Sequence, residues 1–153
     1  MFSKERRTAM PSVRDILARK GGACVSIAPD ASVAEAARLM NERGIGGVLV
    51  LEGDRLVGIF TERDVMRRVI AEHRDPAKTP VLQVMTAPVV TCLPETSLEE
   101  LGAILSSRRI RHLPVVGAEG LCGVVTSGDL LAYQVADQAA TIQYLNNYMF
   151  DRR

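Results

Sequence analysis

The chain has 153 residues, of which 47% are hydrophobic and 24% charged, and its formal net charge is +1. This length predicts one domain or two small ones, and it suffices for an apolar core without metal or disulfide cross-links. The near-neutral charge gives no general reason to expect nucleic acid or a membrane surface as a partner. No apolar run approaches the roughly 20 residues that a membrane-spanning helix requires.

The N-terminus and the cysteines bear on the cellular setting. Lys4, Arg6 and Arg7 are not followed by an apolar stretch, so we expect residues 1–11 to form a flexible basic tail rather than a secretory signal. The odd number of cysteines, without a CxxC motif, indicates small buried side chains in a reducing, cytoplasmic setting. These cysteines are Cys24, Cys92 and Cys122.

The sequence repeats itself with a displacement of 65 residues. Residues 25–65 align with residues 90–130 without a gap, and 11 of the 41 aligned pairs are identical. Self-similarity of this kind predicts two copies of one structural unit. Because a unit of about 60 residues is marginally stable alone, we expect the two units to pack as one body.

Both copies show the same order of predicted elements, which is strand, helix, strand, strand and helix after a short opening helix. The predicted fold class is therefore α/β (α+β), with two β-α-β-β-α units. The first copy has helices at 13–17, from Ser32 and from Glu62 to about Glu72, and strands at 24–27, 48–51 and 55–60. The second copy has helices at 81–85, from Ser97 and from Ser127, and strands at 89–92, 113–116 and 121–125.

Capping residues and apolar stripes support these helices. Ser32 with Glu35, and Ser97 with Glu100, form predicted capping boxes, in which the serine and the glutamate each bond a free backbone N–H. Gly44 is expected to end the first of these helices. Apolar residues at helical spacing predict the core-facing sides. They are Val33, Ala36, Ala37, Leu39 and Met40; then Val65, Val69 and Ile70; and then Leu98, Leu101, Ile104 and Leu105.

The C-terminal segment has no counterpart after the first unit. Ile142, Leu145, Tyr148 and Met149 lie on one helical face, which predicts a helix docked either on its own chain or on a second subunit. The predicted organisation is a tail at 1–11, a first unit at 12–72, a linker at 73–80, a second unit at 81–135 and a C-terminal helix at 136–153.

A Gly-x-x-Thr-x-x-Asp motif closes each copy, at 58–64 and at 123–129. A strand that ends where a helix begins leaves backbone N–H groups unpaired at the positive end of the helix dipole, which suits a phosphate. The aspartate suits ribose hydroxyls, and the glycine allows backbone or ligand to come close. The same residues are also typical of a helix cap that needs no ligand, and both interpretations stay open.

Three potential cations lie at the mouth of the buried strand in the second copy, where the first copy has glycines. Arg109, Arg111 and His112 suit a phosphate, so the two motifs are predicted to be non-equivalent. A solvated basic rim is the alternative, and a nucleic-acid site is disfavoured because no aromatic residue is interleaved for base stacking. The matching glycines are Gly44, Gly46 and Gly47.

The doubled unit, its two Gly-x-x-Thr-x-x-Asp motifs and the run Ile-Arg-His-Leu-Pro-Val-Val at 110–116 resemble a tandem CBS-domain pair, or Bateman module. The resemblance covers about residues 12–135, and the chain is similar to stand-alone bacterial CBS-pair proteins. It implies two units packed through their sheets about a pseudo-twofold axis. It also implies two clefts that bind an adenosyl ligand. AMP is the preferred candidate, and ADP, ATP, NAD and S-adenosylmethionine are the others.

The resemblance assigns residues to each cleft. Asp64 would hold the ribose, Thr61, Arg63 and the Arg111/His112 pair would face phosphate, and Val90 with its neighbours would flank adenine. The first cleft would contain Thr61, Arg63, Asp64, Val90, Thr91, Arg111, His112 and Pro114. The second would contain Val25, Ser26, Gly46, Gly47, Thr126 and Asp129, and we expect it to bind more weakly because its mouth lacks the cations.

These features favour a cytoplasmic, non-catalytic regulatory module that senses an adenine nucleotide. The resemblance further implies a homodimer through the CBS helices, and an unidentified protein target is possible. We expect no required cofactor or metal. An adaptor without a ligand is the alternative. A nucleotide hydrolase is disfavoured because Glu62, the one candidate base beside the motif, is replaced by Ser127 in the second copy.

Overall fold

The computed structural model describes residues 10–21 and 24–150. Residues 1–9 of the predicted tail and residues 151–153 lie outside this range. Among the described helices, none combines the length and apolarity that crossing a membrane demands.

The first unit has the predicted order of elements. The bounds of its strands and helices follow the apolar runs and the caps closely. The elements are α1 (Val13–Lys20), β1 (Ser26–Ile27), α2 (Val33–Arg43), β2 (Gly47–Glu52), β3 (Arg55–Thr61), the single turn α3 (Glu62–Asp64) and a π-helical segment (Val65–Ile70).

The second unit has the same order of elements, but its opening helix and its first strand are shorter than predicted. The helix predicted at 81–85 is a 3₁₀ turn, and the strand predicted at 89–92 is only a parallel bridge between Cys92 and Val115. Pro88 and Pro94 flank this stretch and donate no backbone hydrogen bond, which limits a longer ladder. The elements are the 3₁₀ turn (Val81–Gln83), α4 (Leu98–Arg108), β4 (His112–Gly117), β5 (Gly120–Thr126) and α5 (Ser127–Phe150).

The two hairpins are near copies of each other. β2 pairs antiparallel with β3, and β4 pairs antiparallel with β5. The register shifts between Val50 and Leu51 in the first hairpin and between Val115 and Val116 in the second, which are equivalent positions in the repeat. β1 adds a parallel strand beside β2. The predicted α+β fold with two repeated units is confirmed.

The caps form largely as predicted. Ser32 Oγ accepts from Glu35 N at 3.1 Å, and Ser97 Oγ accepts from Glu100 N at the same distance. In each predicted capping box, this is the bond that the serine side chain makes. Gly44 ends α2 in the left-handed region with φ 63°, where a residue without Cβ is favoured.

The opening segment of each unit packs on the core of the other unit. Val13 and Ile16 of α1 belong to the core cluster around α4, β4 and β5. Val81 and Val84 belong to the cluster around α2, β2 and β3. This exchange was not predicted, because the spacing of apolar residues shows which side of a segment is buried but not against which unit.

Backbone bonds hold the exchanged segments in place. Val13 N donates to the Thr96 carbonyl at 2.9 Å, immediately before α4. Val81 N donates to the Ala31 carbonyl at 2.8 Å, immediately before α2. Each unit therefore completes its core with a piece from the other, as expected for two units that fold as one body.

The glycines of the repeated motif make room for these segments and not for a ligand. A Cβ on Gly58 would lie 2.3 Å from Met85 Sδ, and one on Gly123 would lie 2.8 Å from Leu17 Cδ2. The side chains that approach the two glycines come from the exchanged segments. The expectation that these glycines admit a ligand is corrected accordingly.

One prediction about a helix face needs correction, and for the C-terminal helix one of the two predicted alternatives is excluded. Val69 is fully buried, but Ile70 is 61% exposed, because it follows Val69 directly and points away from the core. The C-terminal helix is one continuous element with the helix that begins at Ser127, and residues 134–149 are all exposed. It therefore does not dock on its own chain.

Candidate functional site

The Thr61–Asp64 pair forms a self-contained helix cap. Asp64 is only 5% exposed. Its Oδ2 accepts from Thr61 N at 3.0 Å and from Thr61 Oγ1 at 3.3 Å. Its Oδ1 accepts from Thr86 Oγ1 at 2.9 Å and lies 3.7 Å from Arg68 Nε. Both carboxylate oxygens are thus engaged with the protein itself.

The first cleft, which contains this pair, is small. Its cavity measures about 100 Å³, a few times the roughly 30 Å³ share of a water molecule. Of its predicted residues, Val90, Thr91 and Pro114 are not on the wall of this cavity: Val90 packs on the second core, Thr91 is exposed and Pro114 is buried. The wall consists of Ile59, Thr61, Arg63, Asp64, Thr86, Ile110, Arg111 and His112.

The second cleft is a much larger cavity of about 920 Å³ at the seam between the units. The first unit contributes α2 and the mouth of β2, and the second contributes the end of β5 and the first turn of α5. Ser26 is not on its wall. The predicted residues on its wall are Val25, Gly46, Gly47, Thr126 and Asp129.

Thr126 and Asp129 cap α5 reciprocally at the edge of this cavity. Thr126 N donates to Asp129 Oδ2 at 2.9 Å, and Asp129 N donates to Thr126 Oγ1 at 3.0 Å. Asp129 Oδ2 also accepts from Lys20 Nζ at 2.6 Å, and this lysine donates to the Val124 carbonyl at 2.8 Å. The Asp129 side chain is 24% exposed, so it faces the cavity more openly than Asp64 faces the first cleft.

The expectation that the second cleft lacks cations is wrong. The cations Lys20 and Arg111 lie on its wall, together with His112. Lys20 was missed because the sequence gives no sign that the end of α1 crosses to the second unit. Arg111 and His112 were assigned to the first cleft, but they lie between the two clefts and border both.

The strand mouths of the two units, glycines in the first and larger residues in the second, lie against each other. His112 of the second unit lies against Gly46 and Gly47 of the first, and a Cβ on either glycine would lie 3.4 Å from its imidazole ring. Burial, followed by the positive charges of Arg111 and Lys20, lowers the pKa of His112 below its usual value near 6.5. At neutral pH His112 is therefore an uncharged hydrogen-bonding group.

The other charged residues of this region are partly engaged. Arg63 Nη1 donates to the Arg109 carbonyl at 2.6 Å, and Arg109 itself ends α4 with φ 52°. Arg111 Nη2 lies 3.5 Å from Glu62 Oε2, and both side chains are more than 60% exposed. An exposed pair at this distance contributes little to stability, so Arg111 is available to an anion.

The rest of the second cleft is largely apolar. Its wall includes Val25, Met40, Ile45 and Val65. Cys24 also lies on it, and burial raises the pKa of this thiol. Within the described ranges 10–21 and 24–150, no group of three or more His, Cys, Asp or Glu side chains is placed to hold a metal ion.

Two homologous α+β units that exchange their opening segments and enclose a cleft at their seam define a tandem-repeat module. A family model of the CBS domain matches residues 13–71 and 81–136. The chain belongs to the CBS domain family, and its resemblance to a tandem CBS pair is confirmed.

Known proteins of the same organisation are similar to this chain. The CBS domain-containing protein YhcV of Bacillus subtilis (strain 168) is 34% identical over 131 residues, which are 86% of this chain and 91% of YhcV. A Burkholderia ambifaria MC40-6 protein with CBS domains has a structure that superimposes with a TM-score of 0.80 at 37% identity. That comparison covers 84% of this chain and 96% of the other.

A hexameric CBS-CP12 protein from bloom-forming cyanobacteria superimposes with a TM-score of 0.71 at 30% identity, covering 80% of this chain and 67% of the other. Stand-alone CBS-pair proteins are regulatory or signalling modules and are generally not catalytic. The fold and the family therefore define this chain as a module of the regulatory class.

Proposed function

We propose that this protein is a regulatory module that binds an adenine nucleotide, AMP in the simplest case, in the second cleft. The observation that carries the proposal is the cavity of about 920 Å³ at the seam of the two units. Small-molecule sites typically measure about 300–1,000 Å³. The first cleft, at about 100 Å³, is below this range, so we propose the second cleft as the binding site although the sequence predicts stronger binding in the first.

Asp129 is the candidate ribose ligand. The bonds described for its carboxylate, to Thr126 N and to Lys20 Nζ, both use Oδ2. Oδ1 is therefore the oxygen that would accept from a ribose hydroxyl. Asp64 is less suited to this role, because both of its oxygens accept bonds inside the protein.

Lys20 and the first turn of α5 are the candidate phosphate ligands. A 24-residue helix places the positive end of its dipole and the N–H group of Gly128 at the wall of the cavity. The N–H group of Ser127 is already engaged, since it donates to the Arg111 carbonyl at 3.0 Å. Lys20 Nζ lies beside this turn, and Arg111 lies on the same wall. Helix amides combined with cations form a favourable environment for a phosphate dianion.

The apolar part of the wall suits a purine ring. Val25, Met40 and Ile45 lie on the first-unit side of the cavity. Burying the base there removes apolar surface from water, while the ribose and phosphate reach the polar edge at Asp129. An adenosyl group thus matches the order of apolar and polar surfaces along the cleft.

Binding at this seam would act on how the two units sit against each other. Lys20 belongs to α1 of the first unit and bonds Val124 and Asp129 of the second. A ligand that accepts from the third N–H of Lys20 and donates to Asp129 Oδ1 would add contacts to this bridge between the units. It shifts the equilibrium between two arrangements only by the difference in its affinity for them.

The proposal extends to the setting and the assembly of the protein. We place it in a reducing cytoplasm, as a homodimer through its CBS helices that signals to a protein target, without a required cofactor or metal. The hexameric state of the cyanobacterial relative supports the idea that this fold assembles.

Titration calorimetry with AMP and with adenosine tests the proposed site. Asp129→Asn should weaken AMP and adenosine alike by about 10- to 100-fold, because a bond to a charged acceptor is worth about 1.5–3 kcal/mol. Lys20→Met should weaken AMP but not adenosine. Asp64→Asn should leave the affinity of the folded protein for both ligands unchanged.

Asp137→Asn and Lys78→Met are matched controls, since both residues are exposed and neither lies on the wall of the cleft. Loss of binding in Asp64→Asn alone would place the nucleotide in the first cleft. Absence of binding in the wild-type protein would favour an adaptor without a ligand. Release of ADP or AMP from ATP, abolished by Asp129→Asn, would favour the enzyme alternative.

A further inference from the structure

The C-terminal helix carries an apolar seam that its own chain leaves uncovered. α5 extends from Ser127 to Phe150, and Leu130 anchors its start in the core of the second unit. Beyond Tyr133 every described side chain of the helix is exposed. A helix of this length seldom persists in water unless packing covers its apolar face.

The apolar residues of this face recur at intervals of four and three residues, which is the heptad spacing of a coiled coil. The spacing is maintained over about 27 Å of helix at a rise of 1.5 Å per residue. The apolar members of the seam are between 49% and 70% exposed. The C-terminal seam consists of Leu131, Val135, Gln138, Ile142, Leu145 and Met149.

The residues that flank the seam carry no charge. From Leu130 to Phe150, Asp137 is the only charged residue of the sequence, and it lies off the seam. Charged flanks normally select a partner of opposite charge or repel a second copy. Neutral flanks leave a surface that is complementary to itself.

The same composition argues against a lipid surface as the partner of the C-terminal seam. Helices that lie on membranes typically present lysine or arginine on their polar face. This helix has neither between Ser127 and Phe150. Its polar side consists instead of amides and hydroxyls, including Gln143, Asn146 and Asn147.

Gln138 is the one polar member of the seam, and it lies near the middle. In a parallel pair of helices in register, the two Gln138 side chains would face each other, and each carboxamide can donate to and accept from the other. In an antiparallel pair centred on the seam, Gln138 would face Ile142 and lose its partner. A single buried polar pair is a known determinant of register in coiled coils.

From this geometry we infer that the C-terminal seam pairs with the same seam of a second copy of the chain, as a parallel two-stranded coiled coil. This interface is distinct from the helices of the CBS units. It does not depend on the proposed nucleotide. Because α5 begins at the wall of the second cleft, pairing places the second clefts of both copies at one end of the coiled coil.

Sedimentation velocity of the full chain tests the pairing. Ile142→Asp combined with Leu145→Asp places two charges on the seam, and Gln143→Asp combined with Asn147→Asp places the same charges beside it. We expect the seam variant to sediment at half the mass of the wild-type assembly and the control to keep the wild-type mass. Circular dichroism confirms that both variants fold.

The inference is wrong if the wild-type chain sediments as a monomer at about 100 µM, or if the seam variant keeps the wild-type mass. It is also wrong if the control variant loses as much sedimenting mass as the seam variant. The register has its own test on non-reducing gels. Gln138→Cys should form a covalent dimer beyond the wild-type background, and Ala140→Cys should not. Equal cross-linking of these two variants would exclude the parallel register.

Discussion

Asp64 and Asp129 occupy equivalent positions in the repeat, but their surroundings differ. Asp64 is buried and bonds Thr61 and Thr86 through its two oxygens. Asp129 faces a large cavity and shares one oxygen between Thr126 and Lys20. One sequence motif therefore serves as a structural cap in the first unit and as a candidate ligand contact in the second.

His112 provides a test of this environment through its titration. Its pKa is lowered by burial and by nearby cations, so the unfolded chain takes up the proton first as the pH falls below about 6.5. The free energy of unfolding should therefore decrease between about pH 7.5 and pH 5.5. His112→Gln should remove part of this decrease in urea unfolding measured at both pH values.

His73→Gln is the matched control, because His73 is exposed in the segment between the units. The decrease should be smaller in His112→Gln than in this control. Equal pH dependence in His112→Gln and in the wild-type protein would show that His112 titrates normally.

At the scale of elements, the exchange of opening segments is the feature that joins the units. α1 completes the core of the second unit, and the 3₁₀ turn completes the core of the first. Lys20 reaches the second cleft only because α1 crosses over. The exchange thus contributes to the candidate site as well as to stability.

Alanine substitution at the two motif glycines tests the close packing of the exchanged segments. The new Cβ atoms would lie 2.3 Å from Met85 Sδ at Gly58 and 2.8 Å from Leu17 Cδ2 at Gly123. Overpacking of this kind typically costs about 1–3 kcal/mol. We therefore expect Gly58→Ala and Gly123→Ala to lower the free energy of unfolding in urea by about that amount.

Gly102→Ala is the control, since its Cβ would meet Leu130 only at an ordinary contact distance of 3.6 Å. Within α4 this change should be neutral or stabilising by up to about 1 kcal/mol, because alanine favours the helix. Neutral effects at Gly58 and Gly123 would show that Met85 and Leu17 move away without cost.

At the scale of the whole molecule, the repeat and the hairpins could be predicted from the sequence. The exchange of opening segments, by which the two units pack on each other, could not. Apolar runs and short turns predict β2 to β5 because each hairpin pairs two strands that are neighbours in the sequence. The crossing of α1, the exposure of the C-terminal helix and the shared position of His112 depend on contacts between distant residues. For the same reason the sequence could not predict that Thr126 and Asp129 border the larger of the two cavities.

We propose that the seam between the units is the functional centre of the molecule and that the second cleft binds AMP. A ¹H–¹⁵N NMR titration of the 16.6 kDa chain with AMP tests this claim most directly. The account predicts the largest shifts at amides around the second cleft, those of Val25, Gly46, Thr126 and Gly128, with little change at Asp64 and Thr86. The largest shifts at Asp64 and Thr86, or no shifts at millimolar AMP, would contradict it.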